Sequence, residues 1–92
     1  MKLYHETNAQ NVQSILTGGF IELGDDVRPG ISVADRPPRL GRGPTIVIHS
    51  DLATVQLEPY AYNVHQWTAN GYREWRVPAA VLNTFARTVI AR

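Results

Sequence analysis

Residues 45–49, Thr-Ile-Val-Ile-His, make a nearly unbroken apolar run in a chain of 92 residues that contains no cysteine. A short β-branched run with no polar alternation reads as a strand buried on both faces, so it belongs inside a sheet. The absence of cysteine removes disulfides and thiolate zinc sites, so the core must close by packing alone. A chain this short buries a modest core and forms one domain, residues 1–92. Its 43% hydrophobic content is enough for folding rather than disorder.

Other elements arrange themselves around that run. Residues 2–5 read as a short strand with Leu3 and His5 on one face and Tyr4 on the other. Thr7 or Asn8 can cap a helix that carries Val12, Ile15 and Leu16 at helical spacing and stops at Gly18-Gly19. Phe20 to Leu23 return to the core, and Gly24-Asp25-Asp26 and Pro29-Gly30 signal turns. Residues 31–34 read as a strand. Residues 36–44 hold three Pro and two Gly and form a loop. Residues 53–70 show no clear period. Residues 72–77 alternate, with Tyr72, Glu74 and Arg76 on one face and Arg73, Trp75 and Val77 on the other. Pro78 starts a helical turn through Leu82, and residues 87–90 make a last strand. Strands dominate, with one clear helix near the start. This is an α+β pattern with a mostly antiparallel sheet.

The net charge of +1 gives no broad basic field, so direct nucleic-acid binding is not expected. No apolar stretch is long enough to span a membrane, and Met1 to His5 lack a signal-peptide run, which together with the cysteine count predicts a cytoplasmic location. Eight of the nine cations are Arg, and Arg forks match phosphate and carboxylate. Arg28, Arg36, Arg39 and Arg42 cluster in the turn-rich segments, where they could clamp a pyrophosphate or an acidic partner or form a solvated loop edge. His49 and His65 show no metal-ligand spacing, and no metal is expected.

Three segments carry a further signal: Leu3-Tyr4-His5-Glu6-Thr7, Gly30-Ile31-Ser32-Val33-Ala34-Asp35, and Gly71-Tyr72-Arg73-Glu74-Trp75-Arg76-Val77-Pro78. In order and context they resemble the catalytic core of the ADP-ribosyltransferase superfamily, in the branch whose motifs run His, Tyr, Glu. The resemblance implies an NAD site in a small ADP-ribosyltransferase-like fold. His5 and Thr7 would hold the adenosine ribose, and Gly30, Ile31 and Ser32 would line the nicotinamide pocket. Glu74 would stabilise the oxocarbenium-like ribosyl cation, as carboxylates do in glycoside hydrolysis. His5 and Glu74 would then lie on adjacent strands facing one cleft. Glu6 stands where family members usually carry Gly, and Ser32 where they carry the Tyr that stacks on nicotinamide. Tyr72 stands where arginine-specific members carry a second Glu or Gln, so arginine is not the implied acceptor.

What the resemblance implies is a minimal NAD-dependent ADP-ribosyltransferase acting on a macromolecule, most simply a protein. Two alternatives share the fold. One is a catalytically degenerate binding module, such as a small phage-encoded inhibitor of the anti-CRISPR kind, acting through the Arg loop or an aromatic patch. The other is an RNA 2′-phosphotransferase-like activity. Each singled-out residue also has a plain structural reading. His5 could be a core histidine bonded to backbone, and Ser32 a small strand residue. Glu74 could be a surface carboxylate paired with Arg73 or Arg76. Tyr60, Tyr62 and Trp67 could be an acceptor-reading surface or simply core.

Overall fold

In the computed structural model, which describes residues 1–21, 30–39 and 41–92, the apolar run becomes an inner strand of a six-stranded antiparallel sheet. The strands are β1 (Lys2–Glu6), β2 (Ile31–Ala34), β3 (Thr45–Ser50), β4 (Ala61–Tyr62), β5 (Glu74–Val77) and β6 (Ala86–Ala91), in the order β4-β5-β2-β1-β3-β6. β3 lies between β1 and β6, and both Ile46 and Ile48 are fully buried. The architecture is α+β, with four α-helices among the described residues: α1 (Ala9–Gly18), α2 (Thr54–Leu57), α3 (Trp67–Asn70) and α4 (Ala79–Phe85). None of these helices is long and apolar enough to cross a membrane.

Register divides the sheet into two faces. Tyr4 lies opposite Val47 and Ala34, Ala34 opposite Glu74, and Glu74 opposite Tyr62. This row is half-buried and forms the outer face. The alternate positions turn inward, because side chains along a strand point to opposite faces in turn. Leu3, Val33, Ile46, Ile48, Trp75 and Val77 therefore share one core cluster with Val12, Phe20, Leu52, Leu57, Ala79 and Leu82 from the helices and loops.

Local sequence explains the helix ends. Asn8, rather than Thr7, caps α1: its Oδ1 accepts the Asn11 N–H at 2.9 Å. The helix stops at Gly18, and Gly19 at φ 83° donates its N–H to the Ile15 carbonyl. The turn expected at residues 78–82 extends to Phe85, because Leu82 is buried and Val81 and Phe85 pack against the core. The strand expected from residue 72 begins at Glu74. One residue earlier, the Arg73 N–H goes to the Asp35 carboxylate at 2.9 Å instead of to a strand partner. Residues 53–70 resolve into α2, a 3-10 turn at Glu58–Tyr60, the two-residue β4, a second 3-10 turn at Val64–Gln66, and α3. The return expected at Leu23 and the turn signals at Gly24-Asp25-Asp26 and Pro29 lie outside the described residues.

Candidate functional site

Two concavities flank β2, one on each side of the sheet. The first, of about 380 Å³, is lined by His5, Thr7, Asn11, Ser14, Ile15, Gly19, Phe20, Ile21, Gly30, Ile31, Ser32 and Arg76. It joins the end of β1, one side of α1 and the start of β2. The five residues expected to bind a cofactor, His5, Thr7, Gly30, Ile31 and Ser32, all line it. They come from two chain segments more than twenty positions apart, which antiparallel pairing of β1 with β2 brings together.

The geometry around His5 is specific. Its Nδ1 lies 2.7 Å from the Ser32 carbonyl oxygen. A carbonyl only accepts, so Nδ1 carries the proton and donates, leaving Nε2 as an acceptor in the neutral ring. Burial lowers the His5 pKa below the ordinary 6.5, and the bond to Ser32 opposes that shift. The ring packs edge-on against Phe20, with centroids 6.0 Å apart. Phe20 is held in turn by Asn83, which accepts the Phe20 N–H at 2.8 Å and donates to the Phe20 carbonyl at 2.9 Å. Thr7 is fixed from both sides: its Oγ1 accepts from the Asn11 amide at 3.1 Å, and its N–H donates to the Pro44 carbonyl at 3.0 Å. Gly30 meets a backbone requirement. At φ 110°, a Cβ would stand 3.0 Å from the Arg76 carbonyl carbon.

The second concavity, of about 520 Å³, opens on the outer face. Tyr4, Glu6, Arg36, Pro38, Arg39, Arg42, Tyr72 and Glu74 line it, together with Val33 and Ala34. Among the described residues Ser32 is shared with the first concavity. The Asn63 amide donates to Glu74 Oε1 at 2.9 Å. Of the arginines near Glu74 in sequence, Arg73 pairs with Asp35 through Nε at 2.9 Å, and Arg76 stacks 4.9 Å from the Tyr62 ring centroid.

One expectation is corrected here. His5 and Glu74 were to lie on adjacent strands facing one cleft. β2 stands between β1 and β5, and the register sends the two side chains to opposite faces. The cause is alternation. Tyr4, Ala34 and Glu74 occupy one cross-sheet row, so His5, one residue beyond Tyr4, must face the other way.

The remaining candidates are placed as follows. Trp67 lines neither concavity. Its ring packs against Trp75 at 5.7 Å and its Nε1 donates to the Tyr62 carbonyl at 2.8 Å. Tyr60 also packs against the core. His49 and His65 are exposed, and no group of three His, Cys, Asp or Glu side chains is gathered for a metal among the described residues. Arg28 lies outside the described residues. Asn11, Asn63 and Asn83 escaped the sequence reading, and Phe20 was read only as core, where it is buried. Only Asn11 left a signal, as the residue three after the cap.

Comparison with known proteins adds no relative: no family model, no curated protein and no solved structure matches this chain.

Proposed function

We propose that this chain is an ADP-ribosyltransferase-like domain that binds NAD in the His5 concavity and holds it without cleaving it. One observation carries the proposal: the residues that the resemblance assigns to the cofactor converge on a single concavity of ligand size. The donor set suits a nucleotide. A neutral imidazole with Nε2 as acceptor, the Thr7 hydroxyl and the Asn11 amide can bind ribose hydroxyls. Ile15, Phe20 and Ile31 offer apolar surface for a flat ring.

Against turnover stands the charge inventory. Breaking the nicotinamide–ribose bond develops positive charge on the sugar, and a carboxylate must stabilise it. No carboxylate lines the His5 concavity among the described residues, and Glu74 faces the other side of the sheet. These features favour NAD held without turnover over the transferase reading, in which Glu74 would act on the donor.

The test is incubation with nicotinamide-labelled NAD, reading binding by equilibrium dialysis and cleavage by released nicotinamide. Retained label without release is the expected result. Release that disappears in Glu74→Gln would restore the transferase. No binding at millimolar NAD would end the NAD proposal and favour a module that acts by protein contact.

A further inference from the structure

We propose that the outer-face concavity is a second ligand site, one that takes the phosphates and sugar of a nucleotide. Three guanidinium groups stand on one side of it: Arg36, Arg39 and Arg42, all exposed. Among the described residues none of them is in an ion pair, whereas Arg73 and Arg87 are bound to Asp35 and Asp51. Three unspent forks within seven residues match a diphosphate, which guanidinium binds through paired N–H···O contacts.

The loop that carries them is tied down at both ends. Asp35 donates its N–H to the Arg73 carbonyl at 3.1 Å and binds Arg73 through both carboxylate oxygens. The Arg42 N–H donates to Glu6 Oε2 at 3.2 Å. Gly43 lies so close to the Thr7 carbonyl that a Cβ there would stand 2.3 Å from its oxygen. Pro37 and Pro38 restrict the backbone between these anchors. A backbone fixed near the charges lowers the ordering cost when a ligand arrives. The Arg39 guanidinium also lies beside Gly71, where no side chain crowds it.

The rest of the lining differs in chemistry. Glu6, beside the Arg42 backbone, and Glu74 are acceptors, and Tyr4 and Tyr72 present half-buried rings. Two carboxylates repel a bare polyanion that fills the whole space. They suit a ligand that is anionic at one end and carries hydroxyl donors at the other, with a flat surface between. A phosphorylated ribonucleoside has that layout, and the volume is in the range of small-molecule sites. This proposal does not depend on NAD binding across the sheet.

The test uses the full chain carrying His5→Ala, so that the other concavity is weakened, and calorimetric titration with ADP, pyrophosphate and a 5′-phosphorylated single-stranded oligonucleotide. ADP is expected to bind more tightly than pyrophosphate. Adding Arg36→Ala and Arg39→Ala should weaken ADP by about tenfold or more, about the weight of one charge-assisted contact. Adding Glu74→Gln should weaken ADP and leave pyrophosphate unchanged. Those positions are exposed or half-buried, and thermal melting checks that each variant is folded. An oligonucleotide that binds tighter than ADP, with a steep salt dependence, assigns the site to the end of a strand; one that binds no better assigns it to the free nucleotide. Absence of ADP binding at millimolar concentration overturns the proposal. So does binding that survives loss of Arg36 and Arg39 in folded protein.

Discussion

The two concavities share strands β1, β2 and β5, yet they offer opposite chemistry. The inner one is walled by a neutral histidine, hydroxyls, an amide and apolar side chains. The outer one is walled by three arginines, two glutamates and two tyrosines. The difference arises from one-residue steps along the strands. Tyr4 and His5 are neighbours in sequence and face apart, as are Glu74 and Trp75. Motifs of consecutive residues therefore say which chemistry a strand carries, but the register decides which parts of it meet.

The largest expected effect tests that alternation on β5. Trp75 is buried beneath the sheet, so Trp75→Ala should cost about 3–5 kcal/mol in denaturant unfolding. Glu74→Gln, one residue away and half-buried, keeps an oxygen to accept from Asn63 and should cost less than about 1 kcal/mol. Similar costs for the two would break the assignment of faces.

The wall of the inner concavity gives the next effect. Asn83→Ala removes both bonds to the Phe20 backbone and should cost about 1–3 kcal/mol, because buried backbone groups lose partners. The outer concavity does not depend on Phe20, so ADP binding there should be retained in this variant. Loss of both together would show that the two sites are not separable.

The third effect is on pH dependence and belongs to the inner face alone. Burial lowers the pKa of folded His5, so between that value and 6.5 the unfolded chain binds more protons than the folded one. His5 therefore adds a slope in which stability rises with pH, complete above about 6.5 and lost as pH falls through the folded pKa. Comparing urea midpoints of wild type and His5→Gln from pH 7.5 to 5 should show a shallower slope in the variant. An unchanged slope would mean that the ring is not buried as described.

How much of this was legible before the structure follows from the same physics. The inner strand at residues 45–49 could be read because its run is β-branched and unbroken, and residues 72–77 because polar and apolar residues alternate through them. The cap could be narrowed to Thr7 or Asn8 because side-chain acceptors mark helix starts, and the structure chooses Asn8. The grouping of His5 and Thr7 with Gly30, Ile31 and Ser32 was carried by motif resemblance, and the pairing of β1 with β2 brings them to one place. The separation of His5 from Glu74 was not legible. It depends on β2 lying between their strands and on a register that pairs Tyr4 with Ala34, and neither leaves a local mark. Residues 53–70 were opaque because their elements are two to four residues long, too short to establish a period. Their anchors are single long-range contacts, such as Trp67 against Trp75. The Asn83 clamp joins positions 63 residues apart and has no sequence signature.

The central claim, that NAD is held on the His5 face and away from Glu74, is tested most directly by amide and side-chain NMR shifts during NAD titration. The account predicts shifts concentrated at His5, Thr7, Asn11, Gly30 and Ile31, largely lost in His5→Ala and preserved in Glu74→Gln. Shifts centred on Tyr72, Glu74 and Arg39, preserved in His5→Ala and lost in Glu74→Gln, would contradict it.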